Sequence, residues 1–176
     1  TASFNFTMRS LGYPVRPKGV VRRAVGWGDK NLLAPFVRRA DIAQALAVYR
    51  RHHAQSLIKR AKLFPGARLL LRRLQAKGYA LAVATNRPTK FSLILIRHLG
   101  IRSCFDFVLC ADKLKKGKPH PEIIRRIMKR AGVTGAQTVY VGDMVIDAQA
   151  GRRAGVRTVI VTTGSRHRQQ IVKENP

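Results

Sequence analysis

From residue 63 onward, short apolar segments alternate with segments whose apolar residues recur at helical spacing. This alternation is typical of consecutive βαβ units, in which a helix connects each strand to the next parallel strand. We therefore predict a doubly wound, Rossmann-like parallel sheet of the α/β class. The predicted strands are residues 79–84, 107–110, 138–141 and 156–161, and the predicted helices are residues 65–77, 90–99, 121–131 and 146–154.

The first 62 residues show helical spacing and no strand pattern. A short helix is predicted to end at Gly12, a second to end before Gly26, and a longer third helix to begin at Asp41 as its N-cap. We predict a helical cap subdomain over residues 1–62 and an α/β core over residues 63–176. A chain of 176 residues leaves no room for a further large domain.

Net charge is the second constraint, because 35 Lys and Arg residues stand against only 8 Asp and Glu residues, which gives +27 at neutral pH. Such a chain is expected to bind polyanions without sequence specificity at low salt. The charge is spread evenly, and six Arg-Arg doublets begin at positions 22, 38, 50, 72, 125 and 152. Most doublets fall in segments of helical spacing. They are either solvated helix faces or a dedicated nucleic-acid surface, and the sequence leaves both interpretations open.

Several classes of protein are not expected. The longest apolar runs are far shorter than the roughly 20 residues of a membrane-spanning helix, and the first residues lack the pattern of a signal peptide. Cys104 and Cys110 have no CxxC spacing, which argues against a disulfide framework and a zinc site. We therefore expect a cytoplasmic protein, with an organellar matrix as the alternative location.

Polar residues follow two of the predicted strands, at the sheet edge where parallel sheets bind their ligands. Thr85 and Asn86 follow the first predicted strand, and Asp143 and Asp147 follow the third. Lys118 lies in the loop region between them. The two carboxylates suit a divalent cation, and the hydroxyl and the lysine suit the oxygens of a phosphate group.

The motifs stand in a familiar order: Ala84-Thr85-Asn86, then Lys118-Pro119-x-Pro121, then Val141-Gly142-Asp143-x-x-x-Asp147-x-x-Ala150-Gly151-x-x-Ala154-Gly155. With the Leu63-Phe64-Pro65-Gly66 junction, this order resembles the haloacid dehalogenase superfamily. Within that superfamily, the chain looks most like the phosphoglycolate phosphatase-like branch with a helical cap.

The resemblance implies Mg²⁺-dependent hydrolysis of a small phosphorylated metabolite, such as phosphoglycolate, through an aspartyl-phosphate. It implies catalytic roles for Thr85, Lys118 and Asp143. Phosphate binding is implied for Thr85, Asn86 and Lys118, and metal binding for Asp143 and Asp147. A loose match at Gly26, Trp27 and Gly28 implies that this loop contacts the substrate.

The resemblance also implies an aspartate nucleophile in a DxDGT-type motif after a first, central strand, and the printed sequence contains no such motif. We expect the core to lack that strand and a last strand near residues 173–176, and the chain as printed to be inactive. One interpretation is a phosphatase scaffold whose nucleophile lies outside the printed sequence. The alternatives are a non-catalytic, RNA-binding component of a ribonucleoprotein such as an organellar ribosome, and an ordinary phosphatase with deliberately added charge.

Overall fold

The computed structural model describes residues 1–59 and 61–163, which form two compact units. The first unit combines residues 1–79 with residues 90–104, and the second combines residues 80–89 with the described part of 105–176. The chain thus passes between the units three times. The boundary after residue 62 stays a prediction, and the expected lack of a last strand near residues 173–176 concerns residues outside the described ranges.

Every regular element described in the first unit is a helix, as the sequence predicts. The helices are α1 (Ala2–Ser10), α2 (Lys18–Ala24), α3 (Asp29–Leu33), α4 (Ile42–Ser56), α5 (Ala67–Ala76) and α6 (Thr89–His98), and α6 begins at the last residue of the 80–89 segment. Single 3₁₀ turns lie at Ala34–Phe36, Arg39–Asp41 and Arg102–Cys104. α5 begins two residues later than predicted because Gly66 takes a left-handed conformation with φ of 78°.

The core of the first unit lies between α1 and α4. Phe4 and Met8 on α1 are fully buried against Leu33 and Ala45, and the Phe4 ring meets the Phe36 ring edge to face at 5.1 Å between centroids. Burying a side chain of this size contributes about 1.5–3 kcal/mol. Phe4 and Met8 lie four residues apart on α1, and the buried Ala45 and Tyr49 lie four residues apart on α4, so this packing satisfies the periodicity from which both helices were predicted.

Asp41 stands at the N-cap of α4, as predicted, but its side chain does not cap the helix. The carboxylate instead accepts hydrogen bonds from the Tyr13 hydroxyl and from Arg38 Nε, the latter at 2.9 Å. The hydrogen bond from Tyr13, and after it that from Arg38, holds the pKa of Asp41 below its usual value. The N-cap prediction was therefore right in position and wrong in mechanism, because two side-chain donors outcompete the backbone.

The second unit alternates strands with helices in the predicted order. Its elements are β1 (Ala82–Thr85), β2 (Phe107–Cys110), α7 (Glu122–Ala131), β3 (Val139–Gly142), α8 (Val145–Ala154) and β4 (Arg157–Ile160). β1 begins three residues later than predicted. The reason lies at Leu81, whose N–H donates to the Asp106 carboxylate at 2.8 Å rather than to a neighbouring strand.

The four strands form two parallel pairs. β1 pairs with β2, with Ala82 opposite Phe107, and β3 pairs with β4, with Val139 opposite Arg157. In the described part of the chain these pairs are two separate sheets. Side chains, rather than backbone hydrogen bonds, connect the carboxyl end of β1 to that of β3.

The helices of the second unit pack on the strands through small and branched residues. Ile123 and Ile124 on α7 and Ala150 on α8 are buried together with Val156. At Gly151 the helix comes so close to β4 that an added Cβ would lie 2.0 Å from the Thr158 hydroxyl oxygen. This contact fixes the distance from α8 to the sheet and hence the position of the residues at the start of α8.

Candidate active site

The second unit gathers the polar residues predicted at the strand ends. Thr85 is the last residue of β1, Asp143 follows the last residue of β3, and Asp147 lies in the first turn of α8. Lys118 reaches this edge from the loop before α7. The prediction rested on the rule that parallel strands bring their carboxyl ends to one edge, and this unit follows that rule.

Lys118 is the centre of the cluster. Its Nζ donates to Ala84 O at 3.0 Å, to the Tyr140 hydroxyl at 2.9 Å and to Asp147 Oδ1 at 2.7 Å. A lysine ammonium has three N–H donors, and each has a partner here. The side chain is only 10% exposed, so the loop supplies a buried, fully bonded cation.

Asp147 is bonded at both carboxylate oxygens. Oδ1 accepts from Lys118 and from the Tyr140 hydroxyl at 2.8 Å, and Oδ2 accepts from the backbone N–H groups of Asp143 and Met144 at 3.1 and 3.0 Å. Burial alone would raise the pKa of Asp147, but Lys118, Tyr140 and the Asp143 N–H together lower it. Asp147 is therefore an anion at neutral pH that orients the turn between β3 and α8.

The Asn86 side chain is hydrogen-bonded to the backbone of the loop that carries Lys118. Its Nδ2 donates to Lys118 O at 2.9 Å, and its Oδ1 accepts from Lys118 N at 2.8 Å. Gly117 makes this clamp fit, because an added Cβ there would lie 2.7 Å from Asn86 Oδ1. The Lys118–Pro119 peptide bond is cis. Direct phosphate binding by Asn86 stays a prediction, and the geometry gives the residue a positioning role toward Lys118.

Thr85 presents its hydroxyl at the end of β1. Oγ1 accepts a hydrogen bond from Arg87 N at 3.1 Å, which fixes the turn after the strand. A hydroxyl that accepts one bond keeps its own proton as a donor. Thr85 can thus offer a neutral hydrogen bond to an anion at the edge where Lys118 offers a charge.

Asp143 differs electrostatically from Asp147. Burial raises its pKa, the neighbouring Asp147 charge raises it further, and Lys118 offsets part of the effect. No ion pair reaches Asp143 from within residues 1–59 and 61–163, nor do these residues contain a group of three His, Cys, Asp or Glu side chains arranged to hold a metal ion. A carboxylate that is costly to keep charged would be stabilised by a cation.

The donor set fits a magnesium ion. Mg²⁺ is held in proteins by one or two carboxylates, and waters and phosphate oxygens complete its coordination. Asp143 supplies one carboxylate with oxygens to spare, whereas Asp147 already accepts four hydrogen bonds. Metal binding by Asp143 and Asp147 stays a prediction here, and the hydrogen bonds already made by Asp147 make Asp143 the better placed of the two to hold an ion directly.

Tyr140 was not singled out from the sequence. It lies on β3, and its hydroxyl accepts from Lys118 and donates to Asp147. Burial and then the Asp147 charge raise the pKa of Tyr140 far above its usual value, so the phenol stays neutral. The sequence does place an aromatic residue with a polar hydroxyl three positions before Asp143. A tyrosine between two valines is equally typical of a residue that packs in the core, so the pattern did not identify Tyr140 as a site residue.

The loop at Gly26, Trp27 and Gly28 belongs to the first unit. Both glycines have positive φ, at 109° and 89°, and Trp27 O accepts a hydrogen bond from Asn31 Nδ2 at 2.9 Å. The loop is thus a structured turn before α3. Its contact with a substrate stays a prediction.

The fold and the site define a class. Residues 1–161 match the family described as haloacid dehalogenase-like hydrolase. The chain belongs to this family, as the order of its motifs predicted. No helix in the described part of the chain is long and apolar enough to cross a bilayer.

The relatives narrow the class to one branch. The chain is 32% identical over 166 residues to the plasmid-encoded phosphoglycolate phosphatase of Cupriavidus necator, an alignment that covers 91% of the chain and 72% of the relative. It is 34% identical over 184 aligned positions to the phosphoglycolate phosphatase of Pseudomonas putida, with 99% of the chain and 67% of the relative covered. The chain thus spans about two thirds of the length of such relatives.

Solved structures agree on the fold. A crystal structure described as a predicted phosphoglycolate phosphatase from Haemophilus somnus superposes with a TM-score of 0.91 at 25% identity, over 99% of this chain and 83% of that one. CbbY from Rhodobacter sphaeroides, solved in complex with xylulose-(1,5)bisphosphate, superposes with a TM-score of 0.85 at 22% identity, over 97% of this chain and 81% of that one. The second likeness shows the fold alone.

Proposed function

We propose that this chain forms the phosphate- and magnesium-binding part of a phosphatase that hydrolyses a small phosphate monoester, 2-phosphoglycolate being the first candidate. The observation that supports the proposal is the buried Lys118–Asp147 ion pair, in a unit where Thr85 ends β1 and Asp143 directly follows β3. Relatives named phosphoglycolate phosphatase support the choice of substrate. The cytoplasm, where such metabolites are expected, is the proposed location.

Each residue has a distinct role in this proposal. Lys118 exchanges one of its three donors for a phosphate oxygen, while Asn86 and Asp147 hold it in place. Thr85 donates its hydroxyl proton to a second oxygen. Asp143 holds Mg²⁺, which when bound neutralises phosphate charge.

The nucleophile is the part of the reaction that the printed sequence does not supply. No DxDGT-type motif occurs in the 176 residues. The chemical step is therefore proposed for a protein in which such a segment accompanies this chain, and the binding steps are proposed for the chain itself. The two can be tested separately.

Binding is tested by calorimetric titration of the 176-residue chain with Mg²⁺, and then with orthophosphate at saturating Mg²⁺. Asp143→Asn is expected to weaken Mg²⁺ binding about tenfold or more, because it removes the one carboxylate assigned to the ion. The matched control is Asp112→Asn, which removes the same charge from the same unit, where Asp112 accepts hydrogen bonds from Thr89. Equal weakening by both substitutions would contradict the assignment.

Catalysis is tested with a chimera in which a DxDGT-type segment precedes Thr1. We expect Mg²⁺-dependent hydrolysis of p-nitrophenyl phosphate and 2-phosphoglycolate, lost in Asp143→Asn and kept in Asp112→Asn. A chimera that is folded by circular dichroism, binds Mg²⁺ and leaves both esters intact would refute the phosphatase proposal.

A further inference from the structure

The outward surface of α7 and α8 carries one kind of charge. Every residue of these two helices that is exposed to solvent is an arginine or a lysine. The six residues, here named the α7–α8 basic face, are Arg125, Arg126, Lys129, Arg130, Arg152 and Arg153. They include two of the Arg-Arg doublets that the phosphatase site does not use.

Hydrogen bonds join the two helices into one surface. Arg125 Nη2 donates to Arg153 O at 2.8 Å, and Arg153 Nη1 donates to Pro119 O at 3.0 Å. The Arg130 guanidinium lies 5.0 Å from the centre of the Phe107 ring. Because two hydrogen bonds and one cation–π contact hold three of the six side chains against the unit, the doublets of α7 and α8 stay side by side.

The helices α7 and α8 themselves carry two acidic residues. Glu122 pairs with Arg126 at 2.7 Å, and Asp147, the other acid on these helices, is buried beneath Lys118. Like charges held together on one surface repel each other and raise the energy of the folded state. The two helices thus bring six cationic side chains to one surface, and one acidic side chain of α7 and α8, Glu122, pairs with it.

The composition of the face favours one kind of ligand. Five of the six residues are arginine, whose planar guanidinium matches phosphate oxygens in pairs. No exposed apolar or aromatic side chain lies on α7 or α8 to insert into a bilayer or to stack on unpaired bases. A ligand that presents a regular row of phosphate groups and keeps its bases paired fits these properties.

We propose that the α7–α8 basic face binds the phosphodiester backbone of double-stranded nucleic acid, without reading its sequence. The inference does not rest on the phosphatase proposal, because none of the six residues takes part in the Lys118 cluster. It also differs from attraction by net charge alone, since it locates the contact on one face of one unit.

The test is fluorescence anisotropy of the whole chain with a labelled RNA duplex of about 20 base pairs, titrated at several salt concentrations between about 50 and about 200 mM. The face variant combines Arg126→Gln, Lys129→Gln and Arg152→Gln, which leaves Arg125, Arg130 and Arg153 and their described contacts in place. The charge-matched control combines Arg72→Gln, Arg73→Gln and Lys77→Gln, which removes two arginines and one lysine at α5 in the first unit.

We expect the face variant to bind about 10- to 100-fold more weakly and to lose about 2–3 from the slope of log affinity against log salt, since each phosphate contact contributes about 0.9. The control should change affinity less than about threefold. Equal losses in both variants would overturn the proposal in favour of net charge alone.

Two further outcomes would also overturn it. One is a parent chain that does not bind the duplex at about 150 mM salt. The other is a face variant that keeps duplex binding and loses binding to phosphatidylserine vesicles, which would make the face a membrane contact. Circular dichroism of each variant confirms that the comparison is between folded chains.

Discussion

Replacing Gly142 with alanine should disrupt the site from the backbone side. Gly142 ends β3, and an added Cβ would lie 2.3 Å from Asp147 Cβ and 2.8 Å from Asp147 Oδ2, whereas ordinary contacts begin near 3.4 Å. One partner must therefore move by about 1 Å. Asp147 is only 3% exposed, so it has no free space to enter and the end of β3 must shift relative to α8.

The expected cost combines two effects. Overpacking of this kind costs about 1–3 kcal/mol, and a lost hydrogen bond to a charged carboxylate adds about 1.5–3 kcal/mol. Because part of the strain is relieved when a bond is given up, the two do not add fully. We expect Gly142→Ala to lower the free energy of unfolding of the second unit by about 2–4 kcal/mol.

The assay must report on the second unit. Trp27, the one tryptophan, lies in the first unit, so its fluorescence would not detect this change. Hydrogen exchange at the Asp143 and Met144 amides would detect it, because both amides donate hydrogen bonds to Asp147. The control is Gly19→Ala in α2, where the nearest atom is a flexible arginine nitrogen 3.7 Å away; it should stabilise by about 0.5–1 kcal/mol. Unchanged protection of both amides in Gly142→Ala would refute the reasoning.

Three further results are expected. Lys118→Met should lower the free energy of unfolding in urea by about 3–5 kcal/mol, because it leaves the buried Asp147 charge without its cation. If the double variant with Asp147→Leu loses no more stability than Lys118→Met alone, the two residues are coupled; simple additivity of the two losses would contradict the coupling. The lowered pKa of Asp147 means that its stabilisation is complete above the unfolded-state pKa of about 4 and is lost as pH falls through the lower folded-state value. The stability difference between the parent chain and Asp147→Asn should therefore shrink below about pH 4, and a constant difference would exclude this origin. Gly151→Ala, whose Cβ would meet the Thr158 hydroxyl at 2.0 Å, should lower the thermal midpoint more than Gly19→Ala raises it; an equal or smaller effect would show that α8 can move away from β4.

The parts of the fold that depend on local pattern were predictable. Apolar periodicity placed β2 at its observed residues and α7 within one residue of its observed start. The positions of Thr85 at the end of β1 and of Asp143 and Asp147 after β3 followed from one general rule about parallel strands, whereas Lys118 was singled out by the Pro119-x-Pro121 that follows it.

The sequence could not predict which of several possible groups a given side chain contacts in the folded protein. The sequence predicted phosphate binding by Asn86, and the structure pairs its side chain with the Lys118 backbone instead of leaving it free for a ligand alone. Tyr140 had core packing as an equal interpretation of its position. The assignment of residues 90–104 to the helical unit depends on contacts distant in sequence, such as Arg68 with the carbonyls of Leu99 and Gly100, and no local pattern encodes them.

The three donors of Lys118 also have a kinetic meaning. Their acceptors lie 34, 22 and 29 residues away along the chain, so the ammonium can be satisfied only after β1, β3 and α8 have come together around it. Contacts of this separation close late in folding, because the chain between them must first lose its freedom. An anion that binds at this lysine would recognise the completed unit and not its partly folded forms, and would protect the whole unit from proteolysis in proportion to its occupancy.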